Sequence, residues 1–289
     1  MAQEITRRGA MGMMLGAAGT VLGAGSDSKG QSSMGGGLKG NIKQSASRWC
    51  YRKMELGELC DKAKEMGLVG LDLLGLEDAK FVMKKGLLCT MASGPGKIVI
   101  GWNRKEHHDN LVEKSEDLIP KLSKAGIENM IVFSGNRAGL SDEEGIQNCA
   151  EGLKRIMKLA EKKRVTVHME LLNSKRNHKD YQCDHTKWAV ELAREIDSER
   201  FKILYDIYHM QIMEGDVIAT IKEFHPYIGH YHTGGVPGRH EIDETQELYY
   251  PAICKAILEA QFSGYLAHEF TPTREPMESL RQAVKICDV

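Results

Sequence analysis

The chain has 289 residues, 42% hydrophobic and 27% charged, enough to bury a sizeable core in one large domain or two modest ones. A formal net charge of -1 provides no basic footprint and argues against a nucleic-acid partner. The seven cysteines (Cys50, Cys60, Cys89, Cys149, Cys183, Cys254 and Cys287) are dispersed with no CxxC pair, which favours buried thiols over a disulfide framework or a zinc ribbon.

Residues 1–25 read as a signal segment. Arg7 and Arg8 precede a mildly apolar stretch from Ala10 to Gly25, the layout of a twin-arginine export signal, with Gly9 and Ala10 where an aromatic or leucine usually stands. The stretch is too short and too glycine-rich for a stable membrane span, which needs about twenty strongly apolar residues. A periplasmic address is therefore expected, and this route carries folded proteins, which accommodates free thiols. A cytoplasmic protein with an unprocessed tail is the alternative. The stretch "SDSKGQSSMGGGLKG" (26–40) reads as a flexible linker.

From residue 41 onward, strand-like and helix-like segments alternate. Predicted strands are "NIKQSAS", "LVGLDLL", "LLCTMAS", "ENMIVFSG", "VTVHMELL", "FKILYDI", "IGHYHTG" and "GYLAHEF". Between them lie amphipathic runs such as "MELGELCDKAKEMG" and "DEEGIQNCAEGLKRIMKLAEKK", with apolar residues three and four apart. Gly67 and Gly264 stand where helix C-terminal caps are expected. Eight such units predict a single-domain α/β fold, a (β/α)8 TIM barrel over residues 41–289. A doubly wound sheet is disfavoured because no glycine-rich phosphate loop follows an early strand.

The last four strands share an ending. Each runs apolar and then closes on a ligand type: Glu170, Asp206, His232 and Glu269, separated by 36, 26 and 37 residues. Those separations are one strand–helix unit each, so the four emerge together at the carboxyl-end face, where barrels of this kind keep their chemistry. Three carboxylates and one imidazole at one place repel unless a cation sits among them. An oxygen-rich set with a single nitrogen favours one divalent Mg²⁺ or Mn²⁺ over Zn²⁺. His168 and His230, two residues earlier on their strands, are expected deeper in the barrel as packing or supporting groups. Trp49 and Tyr51 follow the first strand and are expected either to wall the pocket or to join the core.

The stretches "ELLNSK", "YDIYHMQIMEGD", "GHYHTGGVPGRHEID" and "HEFTPT" resemble the xylose-isomerase-like barrel superfamily, and most closely its hydroxypyruvate isomerase branch. The likeness covers roughly residues 41 to 289 and is densest from 165 to 273. It implies that Glu170, Asp206, His232 and Glu269 bind the metal and that Glu170 and Glu269 are the proton-transfer pair. It also implies that His209 and Arg239 contact substrate oxygens; an ordinary loop ion pair of Arg239 with Glu241 or Asp243 is the competing expectation. One departure stands out: the hydroxypyruvate isomerase branch commonly has Gln at the place of His232, whereas the ketose 3-epimerase branch has His. The expected activity is isomerisation of hydroxypyruvate or a similar small hydroxycarbonyl compound by proton transfer through an enediolate. A ketose 3-epimerase and a non-catalytic sugar-binding barrel are the alternatives. The expected partners are a small-molecule substrate and a second copy of the chain. A multi-zinc endonuclease of the related barrels is disfavoured, because its additional strand-end ligands are missing.

Overall fold

Strands that lie between a packed interior and a layer of helices are usually apolar on both faces, yet here several carry buried polar side chains, among them Gln44, Ser45, Ser47, His168 and His230. The structure, a computed structural model, describes residues 37–289; the expected signal segment and residues 26–36 of the expected linker lie outside the described residues. In chain order the elements are β1 (Lys43–Ser47), α1 (Leu56–Glu65), β2 (Gly70–Asp72), α2 (Leu76–Lys84), β3 (Leu88–Cys89), β4 (Ala92–Ser93), α3 (Lys105–Ala125) and β5 (Asn129–Val132). They continue with α4 (Asp142–Lys163), β6 (Thr166–Glu170), α5 (Thr186–Ile196), β7 (Phe201–Asp206), α6 (Ile207–Met213) and α7 (Val217–Phe224). The chain closes with β8 (Ile228–Thr233), α8 (Tyr250–Glu259), β9 (Tyr265–His268) and α9 (Pro276–Cys287).

All nine strands are parallel, in the order β3-β2-β1-β9-β8-β7-β6-β5-β4. β3 and β4 are two ends of one stave. The first pairs with β2 and the second with β5, while the Thr90 N–H donates to Leu71 O at 3.0 Å and the Leu74 N–H to Met91 O at 3.1 Å. The predicted strand "LLCTMAS" is thus interrupted, because the Asn129 side-chain amide rather than a backbone N–H takes the Thr90 carbonyl, at 3.0 Å. Eight staves result, as expected for a TIM barrel.

Helices bury their apolar stripes on the outside of the staves, with Leu59, Ile119, Leu122, Ile156, Leu192, Ile221 and Leu280 fully buried. Each such side chain contributes about 1.5–3 kcal/mol relative to exposure. The helix α4 shows how local sequence sets its own ends. Ser141 and Glu144 form a reciprocal capping box, acids fill the first turn, and Lys162 and Lys163 the last.

Two sequence expectations are corrected. Gly67 does cap α1, with φ of +81°, but Gly264 caps nothing. The left-handed residue after α8 is Gln261, φ 56°, and Gly264 instead packs where a Cβ would come within 2.6 Å of the Gly229 carbonyl. Linker character also ends before residue 40. Leu38 packs on the core, and the N–H groups of Lys39 and Gly40 donate to the Asp288 carboxylate at 2.8 and 3.0 Å. Among the described residues, no helix is long and apolar enough to cross a membrane.

Candidate active site

The opening of β7 into α6 places one carboxylate in two roles. Asp206 ends β7 and caps α6, its Oδ1 accepting the His209 N–H at 3.0 Å, while its Oδ2 accepts from Arg239 Nη2 at 2.9 Å. The ladder aligns Asp206 with His232 on β8, and Glu170 closes the neighbouring β6. Glu269 follows β9 by one residue, its N–H donating to Thr233 O at 3.1 Å. Ligand atoms of Glu170, Asp206, His232 and Glu269 all lie within 4.8 Å of one another. The two glutamates are 4% exposed, and Asp206 and His232 are fully buried. All four predicted strand-end residues therefore converge.

The electrostatics of this cluster call for positive charge. His232 Nδ1 stands 2.5 Å from Glu269 Oε2, 3.4 Å from Glu170 Oε1 and 3.9 Å from Asp206 Oδ2. It nevertheless makes no hydrogen bond in proper geometry, although it is completely buried. Burial pushes the Glu170 carboxyl up to about 7, reinforced by Glu269 and opposed by the neighbouring His232 imidazole. Burial likewise raises Asp206 to about 6 against the attraction of Arg239. Glu269 goes the other way, to about 2: burial is outweighed by Arg239, His232 and a 2.5 Å hydrogen bond from Trp49 Nε1. Burial opposes charge on His232, yet Glu269, Asp72 and Glu170 together raise its pKa well above the usual value. Three buried carboxylates around an imidazole nitrogen form a group that could hold a metal ion.

Beside this cluster, His209 and Arg239 stand in contact. His209 Nδ1 accepts the Asn173 N–H at 3.1 Å, with the Asn173 side-chain amide 2.6 Å away. Burial and the nearby guanidinium hold His209 neutral, well below its ordinary pKa. Its Nε2 lies 3.1 Å from Arg239 Nη1, in position to accept a guanidinium N–H, so the imidazole and the guanidinium stand edge to edge beside the cluster. Arg239 Nη2 also donates to Glu269 Oε2 at 2.6 Å, and the guanidinium lies 5.4 and 5.3 Å from the Trp49 and Tyr208 ring centres.

Arg239 makes no ion pair with Glu241 or Asp243; both pair with Arg274 instead. Glu241 pins the loop that carries Arg239, accepting from the Thr273 N–H and hydroxyl at 2.8 Å each and from Ser279 Oγ at 2.7 Å. Of the two aromatic residues with open roles, Trp49 borders the site and Tyr51 is core, 3% exposed. His168 and His230 are interior supports: both are buried, and His168 Nε2 lies 3.0 Å from Asn129 Oδ1.

One residue escaped sequence reasoning. Asp72, the last residue of β2, lies fully buried across the barrel with Oδ2 2.9 Å from His232 Nε2 and Oδ1 3.2 Å from His230 Nε2. Burial opposes its ionisation, but the two histidines hold its carboxyl below the usual range. The signal was present, an acid ending an apolar strand, but leucines on both sides placed Asp72 inside the predicted strand "LVGLDLL" rather than at its end.

An eight-stave parallel barrel whose fifth to eighth staves end on a carboxylate–imidazole cluster defines a class of α/β-barrel proteins with carboxyl-end sites. The family model described as xylose isomerase-like TIM barrel matches residues 55–287, and the chain belongs to that family. It is 30% identical over 147 residues to the hydroxypyruvate isomerase of Escherichia coli, covering 50% of this chain and 55% of that protein. It is 33% identical over 108 residues to the 2-oxo-tetronate isomerase of Cupriavidus necator, covering 37% and 41%. These matches thus span about half or less of each relative's length. Among solved structures, the 3-keto-D-glucoside 4-epimerase of E. coli superposes with a TM-score of 0.70 at 21% identity, over 84% of this chain and 98% of that one. That likeness is one of fold.

Proposed function

We propose that this protein is a divalent-metal-dependent isomerase of small hydroxycarbonyl acids, converting hydroxypyruvate or a close analogue into the corresponding aldehyde. The observation that carries the reading is the convergence of three buried carboxylates and the His232 Nδ1, flanked by His209 and the guanidinium of Arg239. The similarity to proteins named hydroxypyruvate isomerase and 2-oxo-tetronate isomerase supports the substrate class. The four clustered residues would hold the cation, which when bound polarises a substrate carbonyl and favours loss of the adjacent proton.

The chain's own groups then account for the proton movements. One of the two glutamates takes a proton from the hydroxyl-bearing carbon, leaving an enediolate, and the carbon of the former carbonyl receives a proton. The hydroxyl proton passes to the former carbonyl oxygen, so the reaction balances with no redox partner. Glu170 and Glu269 have environments that separate their proton affinities, about 7 against about 2, the asymmetry expected of an acid/base pair. Arg239 provides a planar two-point donor for the substrate carboxylate or hydroxyls, with the neutral His209 ring set beside it. Near-complete burial of the glutamates restricts water at the reacting carbon.

The test is an NMR assay of purified, Mn²⁺-loaded protein against hydroxypyruvate and a panel of ketoses, repeated after chelation. Conversion of hydroxypyruvate that vanishes in chelator and returns with Mn²⁺ or Mg²⁺ is expected. Exclusive epimerisation of ketoses at carbon 3 would replace the isomerase assignment by the epimerase one. Full activity after exhaustive chelation, with elemental analysis finding no metal, would overturn the cation site.

A further inference from the structure

An imidazole can face a cation only through a nitrogen that carries no proton, and the other nitrogen's partner decides which one that is. His232 has such a partner. Its Nε2 is 2.9 Å from Oδ2 of Asp72, which reaches it from β2, three staves away in the barrel. The carboxylate is itself held in place: Thr90 Oγ1 donates to Asp72 Oδ1 at 2.5 Å and lies 3.0 Å from Ser45 Oγ. His230 Nε2 is the other neighbour of Oδ1, at 3.2 Å.

We propose that Asp72 is the positioning residue of the site, fixing the proton of His232 on Nε2 and turning the Nδ1 lone pair toward Glu170, Asp206 and Glu269. A carboxylate only accepts hydrogen bonds, so the nitrogen facing it must be the donor. A cation held by Nδ1 requires that nitrogen to be unprotonated, so the neutral ring's single N–H stays on the Asp72 side and Nδ1 faces the three carboxylates, whose oxygens lie 2.5 to 3.9 Å away. Asp72 stands outside the four-residue cluster, in a neighbouring group with His230 and His232, and it reaches the cluster through His232. This inference rests on the cation-site reading above and adds the residue that orients the one nitrogen ligand.

The experiment measures Mn²⁺ affinity by EPR for the full chain, for Asp72→Leu, for His232→Gln and for the double variant. Leucine keeps similar bulk, and the Thr90 hydroxyl retains the Leu71 carbonyl as an acceptor at 3.2 Å. Asp72→Leu is expected to weaken Mn²⁺ binding by about 10–100-fold, the usual effect of losing such an outer partner. In the His232→Gln background the same change is expected to add no more than about twofold, since its route of action is gone. Unchanged affinity in Asp72→Leu, or losses that multiply in the double variant, would overturn the assignment. Should Asp72→Leu not fold, nitrogen-15 NMR of the Mg²⁺-loaded wild type decides. The His232 resonances, assigned by their loss in His232→Gln, are expected to show a proton on Nε2 and none on Nδ1; a proton on Nδ1 overturns the inference. Absence of any Mn²⁺ binding by the wild type would instead show that the cation reading itself is wrong.

Discussion

Replacing Glu170 by Gln separates what this carboxylate does for the reaction from what it does to the fold. The substitution keeps shape and removes only the charge. In the folded protein, burial moves this carboxyl from its ordinary 4.5 up to about 7, so the native state holds a proton that the unfolded chain releases. A raised pKa of that kind stabilises the fold below about 4.5, and the contribution disappears as pH rises through about 7. A separation of this size corresponds to about 3 kcal/mol at most, since one pKa unit is about 1.4 kcal/mol. Gln has no proton to lose. Asp206 is shifted in the same direction but is present in both proteins, so it largely cancels from the difference. Urea unfolding in chelator is therefore expected to give matching stabilities near pH 4 and a variant more stable by up to about 3 kcal/mol at pH 8. With saturating Mn²⁺, turnover of the same variant should fall by about 10²–10⁴-fold, the usual effect of losing a positioned acid/base. A variant less stable than wild type at pH 8, or one with near-normal turnover, would refute the reasoning about this residue.

Arg239→Lys keeps the charge but loses the planar fork that reaches Asp206, Glu269 and the His209 edge together. At about 1.5–3 kcal/mol per charge-assisted bond, kcat/KM should fall by roughly 10²-fold, and a steady-state assay showing less than about threefold loss would contradict its place in the site. Glu241 is drawn down to about 2 against burial, by Ser279 and Thr273, so its stabilisation exists above about 4.5 and is lost as pH falls toward 2. Glu241→Gln should accordingly unfold about 1–3 kcal/mol more easily at pH 7, with the gap closing near pH 2; calorimetry at both pH values checks this. If residues 1–25 direct export, changing Arg7 and Arg8 to Lys should trap the protein in the cytoplasm, which cell fractionation reads directly. A chain starting at Gly36 should still fold and keep full activity, because it retains Leu38, Lys39 and Gly40, which engage the barrel.

The stave order and the carboxyl-end cluster were legible along the chain because both are governed by local chemistry. Strand and helix periods follow from backbone geometry, and a residue ending a buried strand emerges at the rim whatever the rest of the barrel does. Glu170, Asp206, His232 and Glu269 could therefore be found from spacing alone. The capping of α6 by Asp206 is equally local, since donor and acceptor are three residues apart. Other features depend on which staves face one another. Asp72 and His232 are 160 residues apart, and Trp49 and Glu269 are 220 apart. No periodicity relates such pairs; closure of the barrel alone brings them within hydrogen-bond reach. The partner of Arg239 was decided in the same way. Its neighbours in sequence, Glu241 and Asp243, turn toward Thr273, Ser279 and Arg274, and this leaves the guanidinium to enter the site between Trp49 and Tyr208. Local pattern determined which residues reach the rim, and packing across the barrel decided which of them meet.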